Sequence, residues 1–447
     1  MKRTFLNILL LTAVFAVSCD KQLDTTPTQS IDKKDALKTS KDVEVALVGA
    51  YSDLGSADLY GGRIFIDADL LFSTTEISWT GTYEQMTQMK NKAILVDNSF
   101  VASAWLDGYR TINDINNVLG ALAVVTDDKK NKVEGEAKFI RGSVYFDLVR
   151  VFGKAWNDGD PNTNAGVPIA LTATVDITEA SQLPRSTVAQ VYAQAISDLT
   201  EAEAKLPEEN GFFADKAAAA GMLARIYLQK ADYANAASAA DRAIAYAENI
   251  GKGLMDNYTD AFPLEEGNTS EDIFAIQVTS SSGYNGFQDF YSADGRGDIQ
   301  IEDEHLDLYE PADERLNIFY NSGGSTYCGK FDNIYGNVHI IRMAELYLIR
   351  AEANFRAESA VGAEPVDDIN VIRNRAGLEP YSSEDITLDD ILLERKLELS
   401  FEGGSLHDAK RLETNIALIT WNAPELVYPI PQRELRVNAN LTQNDGY

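Results

Sequence analysis

From about residue 41 onward, apolar positions recur with helical spacing in blocks several turns long. Between these blocks run long segments rich in Gly, Asn, Asp and Ser, so the pattern predicts a mainly α chain with extended insertions. The clearest block is residues 217–248, where AAAAGMLARIYLQK leads through a turn at Ala231-Asp232 into YANAASAADRAIAYAE. Counted from residue 217, Leu223, Ala224, Tyr227, Tyr233, Ala236 and Ala243 fall on positions 7, 8, 11, 17, 20 and 27 of a tetratricopeptide repeat. Small residues at these positions let two antiparallel helices approach closely, and the tyrosines fill the gaps between them. Ala240 and Glu248 stand where the repeat usually carries Phe and Pro.

Three further blocks carry the first-helix half of this pattern: Leu47-Val48 with Tyr51, Arg141-Gly142 with Tyr145, and Met343-Ala344 with Tyr347. For the second, the returning helix comes only after a gap. Tyr192, Ala195, Leu199, Ala202 and Pro207 fit positions 17, 20, 24, 27 and 32, which implies about 41 residues inserted within one repeat. The first repeat is split likewise, with residues 109–119 in its returning helix. About four repeats follow, with helices expected near 41–55, 103–125, 134–153, 187–207, 217–248 and 340–377. Loop-rich insertions are expected near 56–100 and 253–335, and long insertions on a rigid scaffold are where binding surfaces are usually built.

The N-terminus sets the expected compartment. Lys2 and Arg3 precede an apolar run over residues 6–17, too short to cross a bilayer, which has the shape of a secretory signal. It ends in Ala16-Val17-Ser18-Cys19, which resembles a bacterial lipobox. The expectation is a signal peptide at 1–18, lipidation at Cys19, a lipidated leader or tether over 19–40 and one domain over 41–447. Several acyl chains make a stable anchor where one is marginal. Cys328 is the only other cysteine, so no intramolecular disulfide is expected in the mature chain.

Charge narrows the partners. The 39 Lys and Arg against 69 Asp and Glu give a net charge of −30, and no basic run exceeds two residues, so nucleic acid is not expected as a partner. An acidic body also disfavours acidic polysaccharides. Catalytic signatures are missing: His305, His339 and His407 are the only histidines, and HExxH, CxxC, GxSxG and Walker patterns do not occur. Carboxylate pairs such as Asp67 with Asp69 are expected by chance in so acidic a chain. Residues 158–164 (DGDPNTN) alternate oxygen ligands like a calcium loop but lack the sixth-position Gly and closing Glu of an EF-hand, and a solvated turn is the better reading. Neither metal nor cofactor is expected, and the chain does not read as an enzyme.

Aromatic residues are more informative. Trp79 and Tyr83 lie in a polar stretch of the first insertion, and Tyr284, Phe287, Phe290 and Tyr291 lie in SSGYNGFQDFYSADGRGD. Flat rings beside amides, carboxylates and guanidinium groups suit a sugar, whose C–H face stacks while its hydroxyls bond. The same rings would equally serve to anchor loops on the helices, and a peptide groove would use similar residues.

Together these features resemble the SusD/RagB family of Bacteroidetes outer-membrane lipoproteins. The matching stretches are Cys19 with Leu23-Asp24-x-x-Pro27, EAKFIRGSVYFDLVRVFG (136–153) with Gly166-Val167-Pro168, and RMAELYLIRAEA (342–353). Further matches are Asn370-x-x-Arg373-x-Arg375-Ala376-Gly377-Leu378, ERKLELSFEG (394–403) and YPIPQREL…NLTQNDGY (428–447). Ser405-Leu406-His407-Asp408 departs from the relatives' usual Arg and aromatic before the Asp. The resemblance implies a right-handed tetratricopeptide-like superhelix with an irregular ligand-binding half packed on it. It also implies a lipid-anchored, non-catalytic protein on the exterior of the outer membrane, passing oligosaccharides to a SusC-like TonB-dependent transporter. A minority branch of the family, RagB-like, binds peptides, and tetratricopeptide arrays also serve as protein-interaction scaffolds. The candidate ligand contacts are Trp79, Tyr83, Tyr284 and Tyr291, with Asp69, Asn285 and Arg296 as polar partners, for an oligosaccharide expected to be neutral.

Overall fold

A computed structural model describes residues 37–174 and 178–447. Cys19, the signal segment and the leader up to residue 36 lie outside the described residues. In chain order the helices begin α1 (Ser40–Leu54), α2 (Arg63–Phe72), α3 (Glu84–Lys90), α4 (Ser99–Gly120) and α5 (Asp127–Phe152). They continue α6 (Val188–Lys205), α7 (Lys216–Gln229), α8 (Tyr233–Asn249), α9 (Gly286–Tyr291) and α10 (Asp303–Leu306). The last are α11 (Met343–Ala357), α12 (Pro365–Arg375), α13 (Leu388–Glu398), α14 (Ser405–Arg411) and α15 (Gln432–Val437). The strands are β1 (Ile77–Trp79), β2 (Asp272–Ile276), β3 (Ile299–Ile301), β4 (Phe319–Ser322), β5 (Ser325–Cys328) and β6 (Val338–Arg342).

Side-chain caps start the scaffold helices. Thr39 and Asp42 form a capping box at α1, Thr187 and Gln190 form another at α6, and the Asp215 carboxylate accepts from Ala218 N at 2.9 Å to open α7. The long helices then stack in series: α1 on α4, α4 on α5, α5 on α6, α6 on α7, α7 on α8, α8 on α11 and α11 on α12. These are four helix pairs, the first split by residues 55–98 and the second by residues 153–187. Close approach depends on the small residues. At Gly142 a Cβ would come within 2.9 Å of Leu199 and 3.0 Å of the Ala195 carbonyl, so only glycine lets α5 meet α6 there. Ala217, Ala220, Ala224, Ala236, Ala240 and Ala243 are all fully buried between α7 and α8. The fold is mainly helical, as the periodicity predicts.

The first returning helix differs in register from the expectation: α4 starts at Ser99 and ends at Gly120, because Asn98 caps it through Phe100 N and Val101 N. The insertions are also more ordered than their composition suggests. The first contains α2, buried on nearly every side. It also supplies β1, which joins an antiparallel sheet of order β1-β3-β5-β4 with Ile77 opposite Ile301 and Trp79 opposite Ile299. A separate ribbon pairs β2 with β6. These strands are too short for alternation to show, and β2 is buried at all five positions, so no period of two marks it.

The main apolar core runs from α1 through α11 into the insertions and the C-terminal segment, and a second, smaller cluster packs α11 against α12 and α13. That last segment returns to α5, where Tyr428 N donates to Val151 O at 2.8 Å and Asn444 Nδ2 to Phe152 O at 2.9 Å. Among the described residues no helix is long and apolar enough to cross a membrane. Residues 158–164 form an exposed turn closed on itself, with Asn164 Nδ2 donating to Asp158 O at 2.6 Å and Asn162 N to the Asp160 carboxylate at 2.9 Å.

Candidate functional site

Strand β1 delivers the first ring to the surface. Trp79 ends the strand half-buried, its Nε1 donating to Thr87 Oγ1 at 2.9 Å and its indole against Phe290. The backbone then turns at Gly81, where a Cβ would sit 2.4 Å from the Trp79 ring, so glycine is required for the chain to pass. Tyr83 follows at the start of α3 and is 38% exposed, its ring edged by Phe100 at 5.6 Å and Phe290 at 6.0 Å.

The second insertion brings up the partner groups. Arg296 lies 4.6 Å over the Tyr83 ring, and its Nε donates to the Asp298 carboxylate at 2.6 Å. Arg296 N donates to Asp289 O at 2.6 Å, while the Asp289 carboxylate accepts from the Tyr284 hydroxyl at 3.3 Å. Asp289 therefore ties Tyr284 and Arg296 into one rim. Burial, with the neighbouring Asp289 charge, pushes the Tyr284 phenol up to about 12, so it stays a donor at ordinary pH. Arg63 extends the rim, its guanidinium 3.8 Å over Phe100 and paired with Asp58. The arrangement offers one amphipathic aromatic edge, hydroxyl and guanidinium donors, and carboxylate acceptors.

Three of the sequence candidates do not reach this surface. Tyr291 is fully buried, packed against Phe331 and Phe401, and its hydroxyl donates to Asp69 at 3.0 Å. Asp69 is itself buried in α2 and also accepts from Gly403 N at 3.1 Å. Asn285 has both ends of its amide engaged: it caps α9 through Phe287 N and Gln288 N and donates to Gly336 O at 2.9 Å. These are interior pins, because each polar group already has protein partners. Trp79 backs the rim, and Tyr83, Tyr284 and Arg296 form it. Sequence reasoning missed Arg63 and Phe100, which lie outside the polar stretches, as well as Asp289 and Asp298. The two acids stand within the quoted aromatic segment, so their place beside the rings was the available signal.

Comparisons with known proteins agree with this architecture. Residues 22–228 match a SusD-like family described as "Starch-binding associating with outer membrane", and residues 323–425 match the SusD family. The chain is 27% identical to SusD-like protein P2 of Formosa agariphila, over 100% of this chain and 99% of that one. It is 28% identical over 219 residues to the starch-binding protein SusD of Bacteroides thetaiotaomicron, covering 44% of this chain and 36% of that protein. A solved SusD superfamily protein of Bacteroides vulgatus superposes with a TM-score of 0.83 at 25% identity, over 92% of this chain and 99% of that one.

Proposed function

Because the chain belongs to the SusD/RagB family, we propose that it captures oligosaccharides at the Tyr83–Arg296–Tyr284 rim and passes them to a SusC-like TonB-dependent transporter. In this reading it works from the outer face of the outer membrane, anchored through lipid on Cys19. The observation that carries the glycan reading is the exposed Tyr83 ring with donors and acceptors grouped around it. A sugar presents an apolar C–H face and a fringe of hydroxyls, which such an edge matches on both counts.

The rim also favours a neutral ligand. Each of its cations already holds an acid, Arg63 with Asp58 and Arg296 with Asp298, so no unpaired positive charge faces an acidic sugar. The acids act as acceptors here: Asp289 engages Tyr284 and Asp298 engages Arg296, an arrangement for holding hydroxyls without cleaving a bond. A few contacts of this kind give affinities in the micromolar to millimolar range, weak enough for the ligand to be handed on.

Calorimetric titration of the mature protein with neutral oligosaccharides, acidic oligosaccharides and oligopeptides tests the reading. Binding of at least one neutral oligosaccharide is expected, and Tyr83→Ala should weaken it about tenfold, the equivalent of ~1.4 kcal/mol of lost ring contact. Binding of oligopeptides with no response to any glycan would replace this reading with a peptide receptor.

A further inference from the structure

Away from the rim, where the repeats meet the irregular half, lies a small cavity of about 40 Å³. Four guanidinium groups reach it: Arg150 from α5, Arg225 from α7, Arg342 from the end of β6 and Arg395 from α13. His339 of β6 and His407 of α14 also line it, the latter uncharged. Two carboxylates also face it, and both are already neutralised. Glu345 accepts a bidentate pair from Arg225 at 2.9 and 2.5 Å, and Glu402 accepts from Arg342 at 2.9 Å and Lys330 at 2.7 Å.

The unbalanced groups are donors. Nε of Arg150 and Nη1 of Arg395 are buried without a hydrogen-bond partner among the described residues. Each arginine does use another nitrogen, Arg150 on Asp147 and Arg395 on Asp408 at 2.8 Å, so both are held in place with a donor left over. Buried charged donors without acceptors are rare in native proteins, because their desolvation goes uncompensated. The local potential has the same sign: burial, then the charges of Arg150, Lys410 and Arg225, hold His407 well below the ordinary histidine value. Gly403 and Gly404 form part of the wall, and a Cβ at Gly403 would come within 2.5 Å of Phe65.

We propose that this cavity is a binding site for one small monovalent anion of halide size, held by the spare N–H groups of Arg150 and Arg395. A water occupies roughly 10–15 Å³ on this measure of volume, so chloride with a water or two fits and a polyhydroxy acid does not. The site is separate from the sugar rim, and its occupant would tie α5 of the repeats to α13 of the last helical layer.

The test uses the mature protein in sodium chloride and, at equal ionic strength, sodium gluconate. Chloride should raise the thermal midpoint by about 3 °C over gluconate once it exceeds its dissociation constant about a hundredfold. Arg150→Met should abolish that increment whatever its effect on the midpoint itself. Crystals of the unaltered protein grown in bromide should show an anomalous peak between Arg150 and Arg395. Coincident chloride and gluconate curves, or bromide peaks only elsewhere on the protein, would overturn the proposal and leave the cavity to water.

Discussion

Glu398→Ala is expected to remove about 3–5 kcal/mol of stability, the range for breaking a buried ion pair by deleting one partner. Its carboxylate is almost wholly shielded and sits among three guanidinium groups. One oxygen accepts from Arg342 at 2.6 Å and Arg375 at 2.5 Å, with Arg315 3.7 Å from the other. The main-chain carbonyl of the same residue accepts from Arg342 at 2.6 Å and Lys330 at 3.1 Å. Alanine would leave those cations with Glu271, Glu402, Glu394 and Asp313 but without their common centre. The position matters because Arg342 ends β6, Arg375 ends α12 and Lys330 leads out of β5. One carboxylate thus fastens the last helix pair to the sheet half that carries the rim. Urea unfolding measures the loss. Burial of the carboxylate raises its pKa and the three arginines more than reverse that, so Glu398→Gln should also destabilise strongly. Replacing both Glu398 and Arg375 by Met should recover part of the loss, since apolar replacements of a buried pair are often tolerated. A Glu398→Ala variant with an unchanged midpoint would mean the cluster is not what joins the two halves.

This network explains which parts of the fold could be read from the chain. The repeats were legible because helices at close range demand Ala or Gly at fixed intervals, and residues 217–248 show those intervals directly. Arg342, Arg373, Arg375, Glu394 and Glu398 fall in the stretches that resemble the family, yet periodicity assigns them no place. A charged residue on a helix reads as solvent-facing, and here its neighbours in space lie far apart in sequence, as with Glu271 and Arg375. The irregular half was least legible, because lone side chains reaching main-chain carbonyls hold it together. Asn333 bonds Pro263 O at 3.0 Å and Glu265 O at 2.9 Å, and Arg185 bonds Gly166 O at 2.6 Å. Such bonds have no period. The candidate site was half legible for the same reason. Aromatic content singles out Tyr83 and Tyr284, with Arg296 as a polar neighbour, but nothing local distinguishes them from Tyr291, whose ring turns inward to Asp69.

The inward turn of Tyr291 leads to the second large effect. Asp67 and Asp69 project from opposite sides of α2, both of them buried, the first bonded by Tyr428 at 3.4 Å and the second by Tyr291 and Gly403 N. Burial pushes each carboxyl up to about 7, outweighing Arg63 near Asp67 and the hydrogen bonds to Asp69. A carboxyl whose pKa is raised on folding contributes stability that is full below its unfolded value near 4. That contribution is lost as pH rises through 7. Each shift corresponds to about 4 kcal/mol, so the two together make the native state markedly less stable at pH 8 than at pH 5 through these groups alone. Other groups titrate in the same window with both signs. His305 and His407 are held neutral, mainly by burial, and favour unfolding as pH falls, whereas His339 beside Asp272 is raised and works the other way. The useful quantity is therefore a difference. The stability of the unaltered protein minus that of Asp67→Asn/Asp69→Asn should fall by several kcal/mol between pH 5 and pH 8, because the histidines are common to both. Below pH 4 the curves should run parallel as Glu402 and Asp408 take up protons. Both carboxylates are held at about 2 by cationic partners that outweigh their burial, Arg342 and Lys330 at Glu402 and Arg395 and Arg411 at Asp408, and they lose their stabilising contribution on acidification. A pH-independent difference between pH 5 and 8 would mean that Asp67 and Asp69 are ionised in the folded protein, with α2 carrying two buried charges beneath the rim.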